Sequence, residues 1–202
     1  MVKPKNVPPT PDALNLSLDE FFRAINHQNH LACVLVTTSY LELCLSSLLR
    51  RYFVETSSTA DEIFDYKTNG VLTDISARSK MAYCLGLISS EIFTNLNEIG
   101  NIRNRFAHTH PELTFADADV QGICAKLKLP AMTGLQVTAP TTDPATPSTG
   151  ATKATEISPA EFEEKYSDPK DRFAFIATTT AMRILMSAHA VKRCDHQKNA
   201  VR

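Results

Sequence analysis

The sequence has no tryptophan and only six glycines among its 202 residues. Barrels and sandwiches of antiparallel strands depend on many tight turns, and those turns use glycine where the backbone needs a positive φ. The few glycines also stand apart from one another, so the sequence has no glycine-rich loop of the kind that holds a phosphate. These shortages favour an all-α fold over an all-β fold.

Cysteine is present in an odd number and without any Cys-x-x-Cys pair. Most of the five lie inside apolar helical runs, which predicts reduced side chains in the core. The five are Cys33, Cys44, Cys84, Cys124 and Cys194. No charge-free apolar run of about eighteen residues occurs, and no apolar stretch follows the basic residues at the N-terminus. We therefore predict a cytoplasmic protein without a membrane segment.

Charge is almost balanced, with 21 basic and 22 acidic residues and a formal net charge of -1. Because phosphate contacts provide most nonspecific affinity for nucleic acid, this balance disfavours direct DNA binding. The six histidines form no cluster with cysteine or carboxylate at ligand spacing, and His108 with His110 is only a weak zinc pattern. We predict neither a metal nor a cofactor.

The first half of the chain predicts four helices. Residues 1–14 are proline-rich and polar and are expected to form a flexible arm, after which Ser17 to Glu20 has the pattern of a capping box. Helices are predicted at about 17–28, 31–53, 75–88 and 89–108. The second should lie at the centre of the core. Its Glu42 and the third helix's Arg78 both fall among apolar residues, so each is expected to pair or to reach water.

The second half predicts a fifth helix at about 116–127, and then a composition rich in threonine and proline over residues 130–159. That stretch is expected to be a flexible excursion. Ser158 with Pro159, and then Asp168 with Pro169, have the pattern of helix starts, so a long last helix should return to the core. We predict one helical domain over residues 15–193, followed by a tail at 194–202.

One stretch of the fourth helix combines residues that can act on a phosphodiester. Asn97, Asn101, Asn104 and His108 follow steps of four, three and four and form a polar stripe. Arg103 and His108 together could neutralise a phosphate and transfer a proton, which is a metal-independent ribonuclease pair. Five residues along a helix are about 140° apart, so this pair needs a helix end or a second subunit.

A structural role is the alternative for the same stretch. In that case Asn104 and His108 would cap neighbouring helix ends, and the arginines at 103 and 105 would pair with acidic side chains. The acidic candidates are Glu91, Glu98 and Asp117.

The segment Arg103 to His108 resembles the Arg-x4-6-His signature of the HEPN superfamily of small helical domains. The wider runs at 74–88 and 102–108 resemble the mannitol operon repressor family over about residues 30–125. This resemblance implies a HEPN-like helical bundle that forms a dimer and acts in repression without a DNA-binding helix-turn-helix of its own. In the nuclease branch of the superfamily, the motif's Arg and His are catalytic, which here implies Arg103 and His108 with Asn104 between them.

From these patterns we predict a transcriptional regulator of the mannitol operon repressor type, which acts indirectly through protein partners and forms a homodimer. The alternative is a metal-independent HEPN-type endoribonuclease that uses Arg103 and His108, with RNA as its partner.

Overall fold

A computed structural model describes residues 10–16, 21, 25, 29–53, 58–108, 113–130 and 158–192. All regular structure in these residues is helical and no strand occurs among them, so the all-α prediction is confirmed. The helices are α1 (Pro11–Leu16), α2 (His30–Tyr52), α3 (Ser58–Phe64), a 3-10 turn (Tyr66–Thr68), α4 (Ile75–Cys84), α5 (Ser90–His108), α6 (Ala118–Cys124), α7 (Pro159–Lys165) and α8 (Pro169–Ala190).

Helix α2 lies at the centre of the bundle, as the sequence predicts. It begins where the Asn29 side chain accepts a hydrogen bond from the backbone N–H of Ala32 at 2.7 Å. It packs against α8, α4 and α5, and Leu41, Leu45 and Leu48 along it are fully buried. Among the described residues, α2 is long and apolar enough to cross a membrane by length and composition alone. A helix in the core of a bundle has the same length and apolar composition, and 61% of the most apolar window of α2 is buried inside the bundle.

Helix α8 returns to the core after the threonine- and proline-rich stretch. Its fully buried Phe173 and Ile176 face the other helices. At its start, the Arg172 guanidinium forms two hydrogen bonds with the Glu163 carboxylate, at 2.7 and 3.0 Å, and donates to the Leu127 carbonyl. This one side chain of α8 therefore links α8 both to α7 and to the segment that follows α6.

The cap of α8 gives a stability prediction. Asp168 accepts hydrogen bonds from the backbone N–H groups of Lys170 and Asp171 at 2.9 and 3.0 Å. Because alanine leaves both donors without a partner, Asp168→Ala should lower the free energy of unfolding by about 1 kcal/mol. Urea denaturation measures the loss. Asp168→Asn, which keeps the accepting oxygen, is the control and should lose little; equal losses in both variants would contradict this role.

A cluster of rings, which we call the ring cluster, joins three helices beside the end of α5. Phe115, in the segment before α6, packs against Phe106 of α5 at 5.4 Å and Phe173 of α8 at 5.2 Å between centroids. It also contacts the ring of His30 at the start of α2, and the Phe115 N–H donates to His30 Nδ1 at 3.1 Å. The ring cluster fixes the position of the α5 end that carries Arg103 and His108.

Four expectations need correction. The predicted arm at 1–14 is wrong for its described end, because α1 starts at Pro11, the Thr10 hydroxyl accepts from the Ala13 N–H, and Leu14 is buried. The helix predicted at 75–88 ends at Cys84, since Gly86 takes a positive φ of 69°. The helix predicted at 116–127 is shorter, at Ala118–Cys124. Cys84 is exposed, whereas Cys33, Cys44 and Cys124 are buried as predicted.

Several predictions lie outside the described residues. They are the capping box at 17–20, most of the helix at 17–28, the excursion between 131 and 157, and the tail at 194–202. His110 and Cys194 lie outside them as well.

Candidate functional site

A polar cleft of about 390 Å³ lies between α2, α5 and the first half of α4. Glu42 lines it from α2, Asp74 from the N-cap of α4, Lys80 from the middle of α4, and Arg103 from α5. Its floor includes Ile75 and Leu96, which are 7% and 1% exposed. The cleft therefore combines an apolar floor with charged and amide groups around its rim.

The asparagine stripe predicted on α5 faces this cleft. Asn97, Asn101 and Asn104 all line it, as their spacing predicts for one helix face. Asn101 donates to Glu98 at 3.3 Å, and the Asn104 side-chain oxygen accepts from Arg103 at 3.2 Å. His108, the fourth member of the stripe, does not line the cleft, because it lies a helical turn beyond Asn104.

The structure does not bring Arg103 and His108 together within one chain. Helix α5 is continuous from Ser90 to His108, so their side chains leave the helix about 140° apart. Arg103 is half-buried at the cleft, whereas His108 is exposed and forms no hydrogen bond or ion pair with any described residue. A ribonuclease pair built from these two residues would need a second copy of the chain.

The alternative structural partners are also different from those expected. Arg105 pairs with Asp119 at 3.4 Å, not with Glu91, Glu98 or Asp117, and both groups of that pair are exposed. Asp117 instead accepts hydrogen bonds from the backbone and hydroxyl of Thr114 at 2.7 and 2.8 Å, and these bonds lower its carboxyl pKa.

Asn104 caps none of the described helix ends, and its oxygen accepts a hydrogen bond from the Arg103 side chain. On α5 the asparagine with a structural role is Asn95. It is fully buried and makes paired hydrogen bonds with the backbone of Lys128, at 2.7 and 2.9 Å. No local sequence pattern predicts this partnership, because Lys128 lies 33 residues away.

Glu42, which lines the cleft, pairs with Arg78 beside it, and this confirms the expectation that each charge has a partner. Their charged groups are 3.9 Å apart, and Glu42 also accepts from the Ile75 N–H at 3.2 Å. Arg78 donates to the backbone carbonyls of Leu72, Thr73 and Glu42. Burial raises the pKa of the Glu42 carboxyl, and Arg78 partly opposes this shift.

Glu42→Gln should change how stability depends on pH. Because burial raises the pKa of Glu42 above 4.5, the folded wild type binds more protons than the unfolded chain between that value and the raised pKa. The stability of the wild type relative to the variant should therefore fall as the pH rises through this window. Urea unfolding of both proteins between about pH 4 and pH 7 measures the difference. Parallel curves would contradict the raised pKa.

No group of three or more histidine, cysteine or acidic side chains suited to a metal occurs in the part of the chain that the structure describes. His108 is exposed within that part, and His110, the other residue of the weak zinc pattern, lies outside it. Three of the four charged residues that line the cleft already have internal contacts. Asp74 caps α4 through the Ala77 N–H, Glu42 accepts from the Ile75 N–H, and Arg103 donates to Asn104.

These features together define the class of protein. It is a helical bundle with a long buried central helix, a polar cleft and no catalytic pair assembled within the described residues of one chain. The model of the mannitol repressor family, MtlR, matches residues 18–155, and the chain belongs to that family. The family resemblance seen in the sequence is thereby confirmed.

A comparison with solved structures agrees on the fold. A chain from the X-ray structure of the MtlR-HPr complex from Escherichia coli matches with a TM-score of 0.56 and 16% identity. The match covers 84% of this chain and 98% of that chain. No curated protein sequence matches.

Proposed function

We propose that the protein is a transcriptional regulator of the mannitol repressor type that acts in the cytoplasm by binding proteins. The observation that carries this proposal is the family match over residues 18–155. The structural relative belongs to a complex of MtlR with HPr, which makes HPr the partner we propose for this chain. We also propose that the chain forms a homodimer.

The surface of α2 supports a function in protein binding. Leu31, Leu35 and Leu43 are spaced by four and eight residues, and each is more than a third exposed, at 37%, 40% and 41%. Ser39 lies between Leu35 and Leu43 on the same face of the helix and is exposed as well. Apolar stripes of this kind are typical of protein contacts and contribute little to binding nucleic acid.

Expression of the mannitol operon in the native host tests the regulatory part of the proposal. Deleting the gene should raise transcription of the operon in the absence of mannitol, and restoring the wild-type gene should lower it again. A His108→Ala gene should restore repression equally well, because His108 has no partner in the described structure. Unchanged transcription after the deletion would contradict the proposal.

A nuclease assay tests the endoribonuclease alternative, in which Arg103 and His108 of two chains act together. Both side chains reach solvent in the last turns of α5, which is the observation that keeps a dimer-based site open. We expect purified wild-type protein and His108→Ala to leave RNA equally intact over hours. Cleavage by the wild type that disappears in His108→Ala would establish the alternative.

A further inference from the structure

The cleft has the size and the floor of a small-molecule site. Its volume of about 390 Å³ falls at the lower end of the usual range for such sites. Ile75 and Leu96 provide buried apolar surface below, and Gly100 of α5 adds a stretch of wall without a side chain. A ligand with carbon–hydrogen faces as well as polar groups fits this combination.

The carboxamide groups on the α5 wall keep hydrogen-bonding capacity free. The Asn97 side chain has no hydrogen bond to any described residue, the Asn104 amide nitrogen donates none to them, and the oxygen of Asn101 accepts none from them. A carboxamide both donates and accepts, as a hydroxyl group does, so carboxamides in a row complement successive hydroxyl groups on a carbon chain.

The charges in the cleft cancel. Glu42 and Asp74 are acidic, and Lys80 and Arg103 are basic, so the residues that line the cleft carry two charges of each sign. Directly beside them, Arg78 pairs with Glu42 and Glu98 accepts from Asn101, which adds one charge of each sign. A phosphate that approaches Arg103 also approaches carboxylates, and the converse holds for an ammonium ion. The lining therefore favours an uncharged ligand over an anion or a cation.

We propose that this cleft binds an uncharged polyhydroxylated small molecule, with the asparagines of α5 as its hydrogen-bonding wall and Ile75 and Leu96 as its apolar floor. The choice of a hexitol as the probe rests on the proposed function. The site itself rests on the cavity, the free carboxamides and the balanced charge, so it stands or falls separately.

Gly100 and Gly122 offer a matched pair of substitutions. A Cβ atom at Gly100 would meet Ile75 Cγ2 at 3.6 Å, an ordinary contact, so Gly100→Ala narrows the cleft without displacing its wall. A Cβ atom at Gly122 in α6 meets nothing within 4 Å, and Gly122 is not part of the cleft. Both substitutions replace a helical glycine with a better helix former, so they differ chiefly in the cleft.

The test is calorimetric titration of the full chain with mannitol, mannitol 1-phosphate and inorganic phosphate. Mannitol should bind saturably with a Kd tighter than about 1 mM, and inorganic phosphate should neither bind nor compete. Gly100→Ala and Asn97→Leu should each weaken mannitol binding at least tenfold, whereas Gly122→Ala should bind as the wild type does. Asn97→Leu keeps the branched shape of the side chain but removes both hydrogen-bonding atoms, so it tests the site even if Gly100→Ala fails to fold.

Three results would overturn the proposal: no mannitol binding, binding of inorganic phosphate or the phosphate ester alone, or equal mannitol binding by all the variants. Titration of HPr into Gly100→Ala separates this site from the proposed function. Loss of mannitol binding with HPr binding retained would support both. Mannitol binding by a protein that binds no HPr would support the cleft alone.

Discussion

Replacing Phe115 with alanine is expected to lower the free energy of unfolding by about 3–5 kcal/mol. The ring is 2% exposed and packs against the rings of Phe106 and Phe173, and its N–H is bonded to His30. Alanine keeps the backbone N–H but removes the ring contacts and leaves a cavity where α2, α5 and α8 meet. A rigid bundle can close such a cavity only in part. Urea or thermal unfolding measures the loss.

Phe115→Leu is the control for this result. It keeps most of the apolar volume and should lose clearly less than alanine does, by about 1–2 kcal/mol. A loss below about 1 kcal/mol in Phe115→Ala would show that the ring cluster does not hold the end of α5 in place.

Replacing Arg78 with methionine is expected to cost about 3 kcal/mol of stability. The Arg78 side chain is 11% exposed, and its guanidinium serves three backbone carbonyls together with the Glu42 carboxylate. Methionine fills similar space but donates nothing, so it leaves those carbonyls unsatisfied and Glu42 half-buried without its counter-charge. Urea denaturation at neutral pH measures the loss.

Arg78→Lys separates charge from geometry. Lysine keeps the positive charge beside Glu42, but its single ammonium group cannot match the fixed fork that reaches Leu72, Thr73 and Glu42. An intermediate loss is expected. If the free energy of unfolding of Arg78→Met lies within about 0.5 kcal/mol of the wild-type value, the guanidinium does not stabilise the packing of α4 on α2.

Local chemistry made much of the fold predictable. The central helix follows from its almost continuous apolar composition, and its observed limits differ from the predicted 31–53 by one residue at each end. The helix starts at Ser158 and Asp168 follow from side chains that bond nearby N–H groups, and both form those bonds. Glu42 and Arg78 were expected to need partners because buried charge is costly, and they pair with each other.

Features that depend on residues distant in sequence could not be predicted. Phe115 belongs to the core although no helix contains it, because its ring packs against Phe173, 58 residues later in the chain. Its N–H donates to His30, which lies 85 residues away. Asn95 looks like another polar residue of α5, yet its partner is the backbone of Lys128. Residues 11–14 fall in the stretch that the composition predicts as a flexible arm, but Leu14 is buried and its carbonyl accepts from the Tyr40 hydroxyl at 2.7 Å.

The candidate site was predicted in part. Helical spacing correctly placed Asn97, Asn101 and Asn104 on one face, and the cleft lies along that face. The same spacing includes His108. The extent of the cleft along α5 is set by residues of α2 and α4, however, and the spacing on α5 does not predict where those residues lie. Arg103 reaches the cleft although it lies outside the stripe, because a long side chain can cross to a neighbouring face.

Calorimetric titration of HPr into the purified full chain tests most directly whether this protein works through protein binding. We predict saturable binding with a Kd tighter than about 100 µM, and a mixture that elutes as a complex in gel filtration. An unrelated protein of similar size should give neither result. Absence of heat and of a complex at HPr concentrations well above that value would contradict the proposed function.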